Sequence, residues 1–266
     1  MKLWVDAAWG VIRRDAIVFL TYRTLVVSQT LGMLFQLTIF YFISRLLHSA
    51  TFGAPAAYFA FVVVGLAIMQ VLITTLGLTP VQVRQELVAG TMERFIVSPF
   101  GARNGVVTMM LFPIISAFFS AAIMLGLATA IFGLPLVATA PLAIPVAVLG
   151  SLAFMPFALV LVAVVIAFKQ ATAGTQFVVS GIAIVGGLYF PVALLPGWIR
   201  WASDVQPFAP AADLLRHLLV GTPLQHSALL DLLKLAGFGL VLFPAALFLL
   251  RRALLYGQRR GTIIEY

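Results

Sequence analysis

The chain has 266 residues, 63% of them hydrophobic and 9% charged, with a formal net charge of +8 and no cysteine. A soluble domain carries about 25% charged residues, so this composition excludes an ordinary soluble enzyme. The missing cysteines exclude disulfides, thiol nucleophiles, iron–sulfur clusters and zinc–thiolate sites, and the basic excess reads as topology signal and lipid anchor, with no nucleic acid as partner.

The first 24 residues hold Lys2, Asp6, Arg13, Arg14, Asp15 and Arg23. At 100° per residue, Lys2, Asp6 and Arg13 fall within about 40° of one another, opposite Trp4, Ala8, Val11, Ile12 and Phe19. This pattern predicts an amphipathic helix in the headgroup plane and does not resemble a cleaved signal. Beyond it, residues 24–44, 46–83, 104–168 and 170–199 carry no Asp, Glu, Lys or Arg. A bilayer core about 30 Å thick is crossed by about 20 apolar helical residues. The charge-free runs, with a last apolar stretch, predict six spans, at 25–43, 57–79, 105–132, 142–168, 172–190 and 232–250. Arg45, His48, Gly53 and Pro55 mark the first loop. Residues 80–104 form a charged second loop, and 133–141, with two prolines, a tight turn. Lys169-Gln170 closes the fourth span, 191–230 is a mixed segment, and Arg251-Arg252 closes the sixth span.

An even span count puts both termini on one side. With the termini inside, the inner segments hold twelve basic residues: Lys2, Arg13, Arg14, Arg23, Arg84, Arg94, Arg103, Lys169, Arg251, Arg252, Arg259 and Arg260. The outer segments hold four, Arg45, Arg200, Arg216 and Lys234. The positive-inside rule therefore predicts cytoplasmic termini. The fold class expected is an all-α integral membrane protein of one domain, 1–266. It comprises the interfacial helix (1–24), spans one to five (25–190), an outer helical segment (191–230), the last span (231–250) and a cytoplasmic tail (251–266). Pro113, Pro145, Pro156 and Pro244 invite kinks, and Gly181, Gly186 and Gly187 allow close helix approach.

Ionisable residues at mid-span, the usual sites of ion-coupled carriers, are missing, and Lys169 at a span end snorkels. His48, His217 and His226 fall in outer loops, no His-Glu-x-x-His occurs, and Ser180-Gly181 has no partner histidine on a span, so intramembrane protease chemistry has no support. No Gly-x-x-x-x-Gly-Lys-Ser/Thr loop occurs either, so energy from ATP must come from another polypeptide.

Two segments carry the remaining information. In the inner loop, Gly90 breaks any helix continuing from the second span. Thr91 can cap a new short helix with Glu93 in its first turn, and Ser98-Pro99 ends it. Glu86, Glu93 and Arg94 are expected on its exposed face. The outer segment, 191–221, is too rich in proline to cross and too apolar to float in water. Trp198 and Trp201 suit the interface, and Asp213 is spaced to pair with Arg216 or His217 on one helix face. Two short helices dipping into the outer leaflet satisfy this pattern.

These segments resemble the permease subunit of type-2 ABC exporters. The inner-loop pattern of that family is matched by Arg84, Glu86, Gly90, Thr91 and Glu93, followed by Phe95-Ile96 and Ser98-Pro99. The outer pattern is matched by Pro191, Pro196, Trp198, Pro207, Pro210, Asp213, Arg216 and Gly221. The resemblance implies that the inner helix, with Arg84, Glu86, Gly90, Thr91, Glu93 and Arg94, couples to an ATPase. It also implies that Pro196, Trp198, Trp201, Pro207, Asp213 and Arg216 belong to an outer gate or interface. The chain itself then needs no cofactor and is no enzyme. ATP and Mg are held by two copies of an ATP-binding subunit, and a second permease copy, identical or closely related, completes the pathway among membrane lipids. The family exports drugs, lipids, glycolipids and polysaccharides. With 22 phenylalanines and few polar residues in the spans, an amphipathic, drug-like or lipid-like cargo is expected, with a polysaccharide or glycolipid exporter, or a carrier or channel without ATPase, as the alternatives. The expected location is a bacterial plasma membrane.

Overall fold

A computed structural model describes residues 2–46, 54–168 and 172–259, without the side chains of 2–4 and 172–173. The expectations for His48, Gly53, Lys169, Gln170 and Arg260, and for the side chains of Lys2 and Trp4, lie outside the described residues. Within them the chain is helical throughout, with no strand. In order come α1 (Lys2–Thr21), α2 (Arg23–Leu46), α3 (Pro55–Leu72), a π-helical turn (Ile73–Leu78), α4 (Thr79–Val88), α5 (Met92–Val97), α6 (Ala102–Met109) and α7 (Leu111–Phe132). A 3₁₀ turn (Ala140–Leu142) leads into α8 (Ala143–Phe168) and α9 (Thr172–Val185). A second (Val192–Leu194) precedes α10 (Gly197–Asp204), α11 (Phe208–Val220) and α12 (Ala228–Arg259).

Five helices are long and apolar enough to cross a membrane: Arg23–Leu46, Pro55–Val88, Ala102–Phe132, Ala140–Phe168 and Ala228–Arg259. They correspond to the expected first, second, third, fourth and sixth spans. The expected fifth span, 172–190, differs. Helix α9 stops at Val185 after 14 residues, about 21 Å of helix, short of the roughly 30 Å of a bilayer core. The cause is local. Gly187 sits at φ +67°, a conformation that costs glycine nothing and other residues a steric clash, and the chain turns away there.

The second span also departs from expectation, running through Thr79-Pro80 to Val88 instead of ending at 79. Proline cannot donate to the carbonyl one turn back. The backbone accommodates it by widening into the π turn just ahead, so Pro80 opens α4 at its first turn, where a missing N–H is harmless. Pro113 and Pro145 are likewise tolerated in the first turns of α7 and α8, whereas Pro156 and Pro244 lie inside α8 and α12.

Helix α3 is the centre of the bundle. From Phe59 to Leu72 every residue except Gln70 is buried, against α2, α7 and α11. Helix α12 packs along α8, and α8 in turn touches α11. By contrast α2 and α12 turn large apolar side chains outward, among them Phe35, Leu240 and Val241. That is the composition of a surface whose solvent is lipid, since lipid tails are as apolar as leucine. Helix α1 shows the expected two-sidedness: Asp6 and Arg13 are exposed, and Ala8, Val11, Ile12 and Phe19 are half-buried. Its apolar side faces the bundle, where Phe19 meets Phe112 edge to face at 5.8 Å. Gly133 ends α7 in the left-handed region. The turn after it docks on the end of α11: the Val137 N–H donates to Leu219 O at 3.0 Å and the Thr139 hydroxyl to Leu218 O at 2.9 Å. These bonds satisfy carbonyls that the helix end leaves open.

Candidate functional site: a glycine turn and a proline-broken wedge

At one end of the bundle, α4 stops at Ala89 and Gly90 (φ +68°) reverses the chain into α5. Thr91 occupies the expected cap position of α5 but does not cap it. Its hydroxyl turns back to the Glu86 carboxylate and to Glu86 O, closing the turn on α4 instead. Nor does Glu86 belong to the exposed face. Its other carboxylate oxygen accepts from Arg14 Nη1 at 2.9 Å, and Arg14 Nε also donates to Asp15 at 2.9 Å. Partial burial pulls the Arg14 pKa down, but Asp15 and Glu86 outweigh it and raise it above the ordinary arginine value. The reason for the difference is tertiary: α1 folds back beside α4 and presents a cation to the glutamate. Arg84 is half-buried two residues earlier on α4.

What the turn does expose is Glu93, Arg94 and Val97, together with Val88 at the end of α4. The opposite side of α5 is sealed. Met92 is fully buried, and Phe95 lies over Gly105, where an added Cβ would come within 2.5 Å of the ring. Glycine at 105 is therefore what lets α5 seat on α6.

At the other end, α10 and α11 replace the missing half of the fifth span. Pro196 and Pro207 precede the two helices, and Trp198 and Trp201 stand outward, 75% and 63% exposed. Arg200 holds Ala193 O (2.7 Å) and Leu195 O (3.0 Å), and the Ser203 hydroxyl donates to Val185 O at 2.8 Å, tying α10 to the broken end of α9. Helix α11 is a wedge between α3, α8 and α12. Phe208 is buried against Phe154 and Phe157 at ring distances of 4.5 and 5.2 Å.

The expected pairing of Asp213 with Arg216 or His217 does not form. Arg216 is only 5% exposed. It donates to Phe61 O (3.2 Å), Gly187 O (2.9 Å) and Leu188 O (2.9 Å), and its guanidinium lies 3.5 Å from the Phe61 ring centroid. Asp213 accepts from the Gln225 N–H at 2.8 Å, and His217 Nδ1 meets Thr222 O at 2.8 Å. The spacing does put Asp213 and Arg216 near one helix face. The stronger demand comes from the break after α9, whose bare carbonyls need donors in a place without water. Gly65 completes this clamp: a Cβ there would fall 1.8 Å from Leu188 O. Neither Gly65 nor Phe61 was marked in the sequence, because nothing distinguishes them inside an apolar run. Asp231 was also missed. It is 1% exposed in the first turn of α12, and lines a polar cleft of about 40 Å³ with Asp204, Asp213, His226 and Lys234.

Between the two ends lies a groove of about 630 Å³, walled by α3, α7 and α8 and closed at one end by Ala211, Leu215 and Leu219 of α11. Its lining is apolar apart from Ser151, whose hydroxyl is used by Ala147 O at 2.8 Å. Among the described residues no group of acids and histidines is placed to hold a metal ion.

A bundle of long apolar helices is consistent with what the comparisons to known proteins find. The family profile of the ABC-2 type transporter matches residues 7–220. Nodulation protein J of Rhizobium meliloti is 30% identical over 113 residues, which is 42% of this chain and 43% of that protein. The match thus spans less than half the length of the relative. With the profile covering most of the bundle, the chain belongs to the ABC-2 type transporter family of membrane permeases.

Proposed function

We propose that the chain is the membrane subunit of an ATP-driven exporter, moving an amphipathic, lipid-like or drug-like substrate out of the cytoplasm or the inner leaflet. Hydrolysis takes place on a separate ATP-binding subunit, which holds ATP and Mg, two copies of it serving a pair of permeases. The observation that supports this reading best is the Gly90 turn. Helix α5 is fastened to the bundle by Met92 and Phe95 and offers Glu93, Arg94 and Val97 to a partner. A lever of this form transmits movement, because a push on it is passed to α4 and α6 and so to the second and third spans. The outwardly apolar α2 and α12 supply surfaces for lipid and for the second permease copy.

The experiment is co-expression with a candidate ATP-binding subunit and purification through a tag on the permease. The two are expected to co-purify, and the Glu93→Lys, Arg94→Glu double variant to lose both association and substrate-stimulated ATPase activity while remaining monodisperse. Transport by the permease alone, with no ATPase bound, would overturn the proposal in favour of a carrier or channel. Export of a glycolipid or polysaccharide is the second reading of the cargo, and a pocket beside α1 favours its glycolipid form.

A further inference from the structure

The spans are poor in polar residues, yet the fold collects several into one place. A pocket of about 470 Å³ opens between α1, α2, the α3–π segment and α7. Its uncharged polar lining includes Ser28 and Gln29 on α2, Gln70 and Thr74 around the start of the π turn, Gln82 on α4, and Ser116 and Ser120 on α7. It begins at the end that carries the Gly90 turn, at Asp15 and Gln82. It reaches Gln70, twelve residues along the same helix, about 18 Å deeper. Gln70 is the single residue between Phe59 and Leu72 that α3 does not bury in the core.

The polar groups here are uncharged and largely unspent. The Thr74 and Ser116 hydroxyls return to their own helix, at Gln70 O (2.8 Å) and Pro113 O (2.9 Å). Gln82 Oε1 is buried without a partner. Among the described residues, the side chains of Gln29, Gln70 and Ser120 enter no hydrogen bond with the protein. Amide and hydroxyl groups at this depth cost free energy unless something bonds to them. The charged group in the lining, Asp15, sits at the mouth, where it shares Arg14 with Glu86; the polar groups deeper in the pocket carry no charge for an ionic ligand. Its rim is apolar and open: Val18, Tyr22, Leu25 and Leu78 are each about half exposed or more.

A largely apolar pocket, with Phe19, Ile73 and Phe112 in its walls, that gathers uncharged amides and hydroxyls in its depth and opens on an apolar rim fits an amphiphile whose uncharged head carries hydroxyl or amide groups. We infer that this pocket is a headgroup subsite for a neutral glycolipid-like substrate, held before export with its tail against the lipid-facing rim. The inference rests on the reading of the chain as an exporter permease. It narrows the cargo from amphiphiles in general to those with a neutral hydrogen-bonding head.

The test uses the purified full-length permease in phosphatidylcholine vesicles, without any ATPase. The probes are a photoactivatable glucosyl diacylglycerol and the same diacylglycerol without the sugar, with labelled peptides mapped by mass spectrometry. The glucosyl probe is expected to label α2 and α7, and Gln70→Leu with Ser120→Ala to cut that labelling about tenfold through two lost hydrogen bonds. Labelling by the sugar-free probe should stay the same. Gln29→Leu, on the lipid-facing α2, serves as a second variant should the double variant elute as aggregate, and is expected to weaken only the glucosyl signal. Equal labelling by both probes, or labelling that ignores every substitution, would overturn the subsite. Failure of an ATP-binding subunit to co-purify would instead strike the exporter reading and leave this measurement standing.

Discussion

The α11 wedge and the Gly90 turn use charge in opposite ways. At the wedge, Arg216 is enclosed and spends its donors on three backbone carbonyls, two of them at the break after α9. At the turn, Glu93 and Arg94 stand free of the bundle while Glu86 is tied to Arg14 and Thr91. A buried charge satisfied by carbonyls holds one geometry, because any shift leaves a desolvated ion or carbonyl without a partner. Charges at a surface tolerate movement and are available to a partner. The wedge end is built as a fixed clamp, and the turn end leaves its charges exposed.

The strongest way to break this comparison is Gly65→Ala. Its methyl would overlap Leu188 O, a backbone atom that cannot swing aside. A loss of about 3 kcal/mol or more is expected, read as a large fall in the thermal unfolding midpoint in detergent. An unchanged midpoint would mean that α3 and the α9 break do not touch. Next comes Arg216→Met, which keeps much of the side-chain volume and removes the donors. It should cost about 2–4 kcal/mol by orphaning buried carbonyls, and Arg216→Lys should recover only part of this, since ammonium lacks the planar fork.

Smaller effects sharpen the other side. Glu86→Gln should lower stability by less than about 1 kcal/mol, the range of partly exposed ion pairs. It should also free α1, seen as faster proteolysis within the first 22 residues and not as a change in the unfolding midpoint. A cycle on Asp213→Asn and Arg216→Met should show a coupling below about 1 kcal/mol, because Asp213 bonds to Gln225 and attracts Arg216 only across the cleft that both line. A large coupling would restore the ion pair that the sequence spacing suggests. Smallest in stability is Glu93→Lys, which should leave the midpoint in place while weakening the ATP-binding subunit about tenfold, or 1.4 kcal/mol, measured by titration of ATPase stimulation.

Legibility in the sequence varied with the length of the signal. Long apolar runs announce helices whatever surrounds them, so α2, α3, α7, α8 and α12 lie where hydropathy places them. The family motif was legible for a similar reason, since Gly90, Ser98 and Pro99 act through local backbone preferences that survive in any context. Pro80 misled because a proline after an apolar run usually ends a helix, and whether the backbone widens past it is settled by the neighbours that pack there. Gly186 and Gly187 read as packing glycines, but they are where a helix stops. The pocket beside α1 was not visible at all: residues 29, 70, 82 and 120 are far apart in the chain, 29, 70 and 120 each read as an ordinary polar residue in a span, and 82 fell in the expected second loop.

By itself the sequence determined that this protein is a helical membrane protein, where most of its spans lie, and that the chain turns at Gly90. These follow from transfer free energy and from backbone sterics, which are local. Only the tertiary structure decided which charges are spent and which are free, that Arg216 clamps a helix break and Glu86 faces Arg14, and that scattered amides and hydroxyls line one cavity. Those outcomes depend on which groups are brought within 3–4 Å in a medium without water, and no spacing along a single helix contains that information.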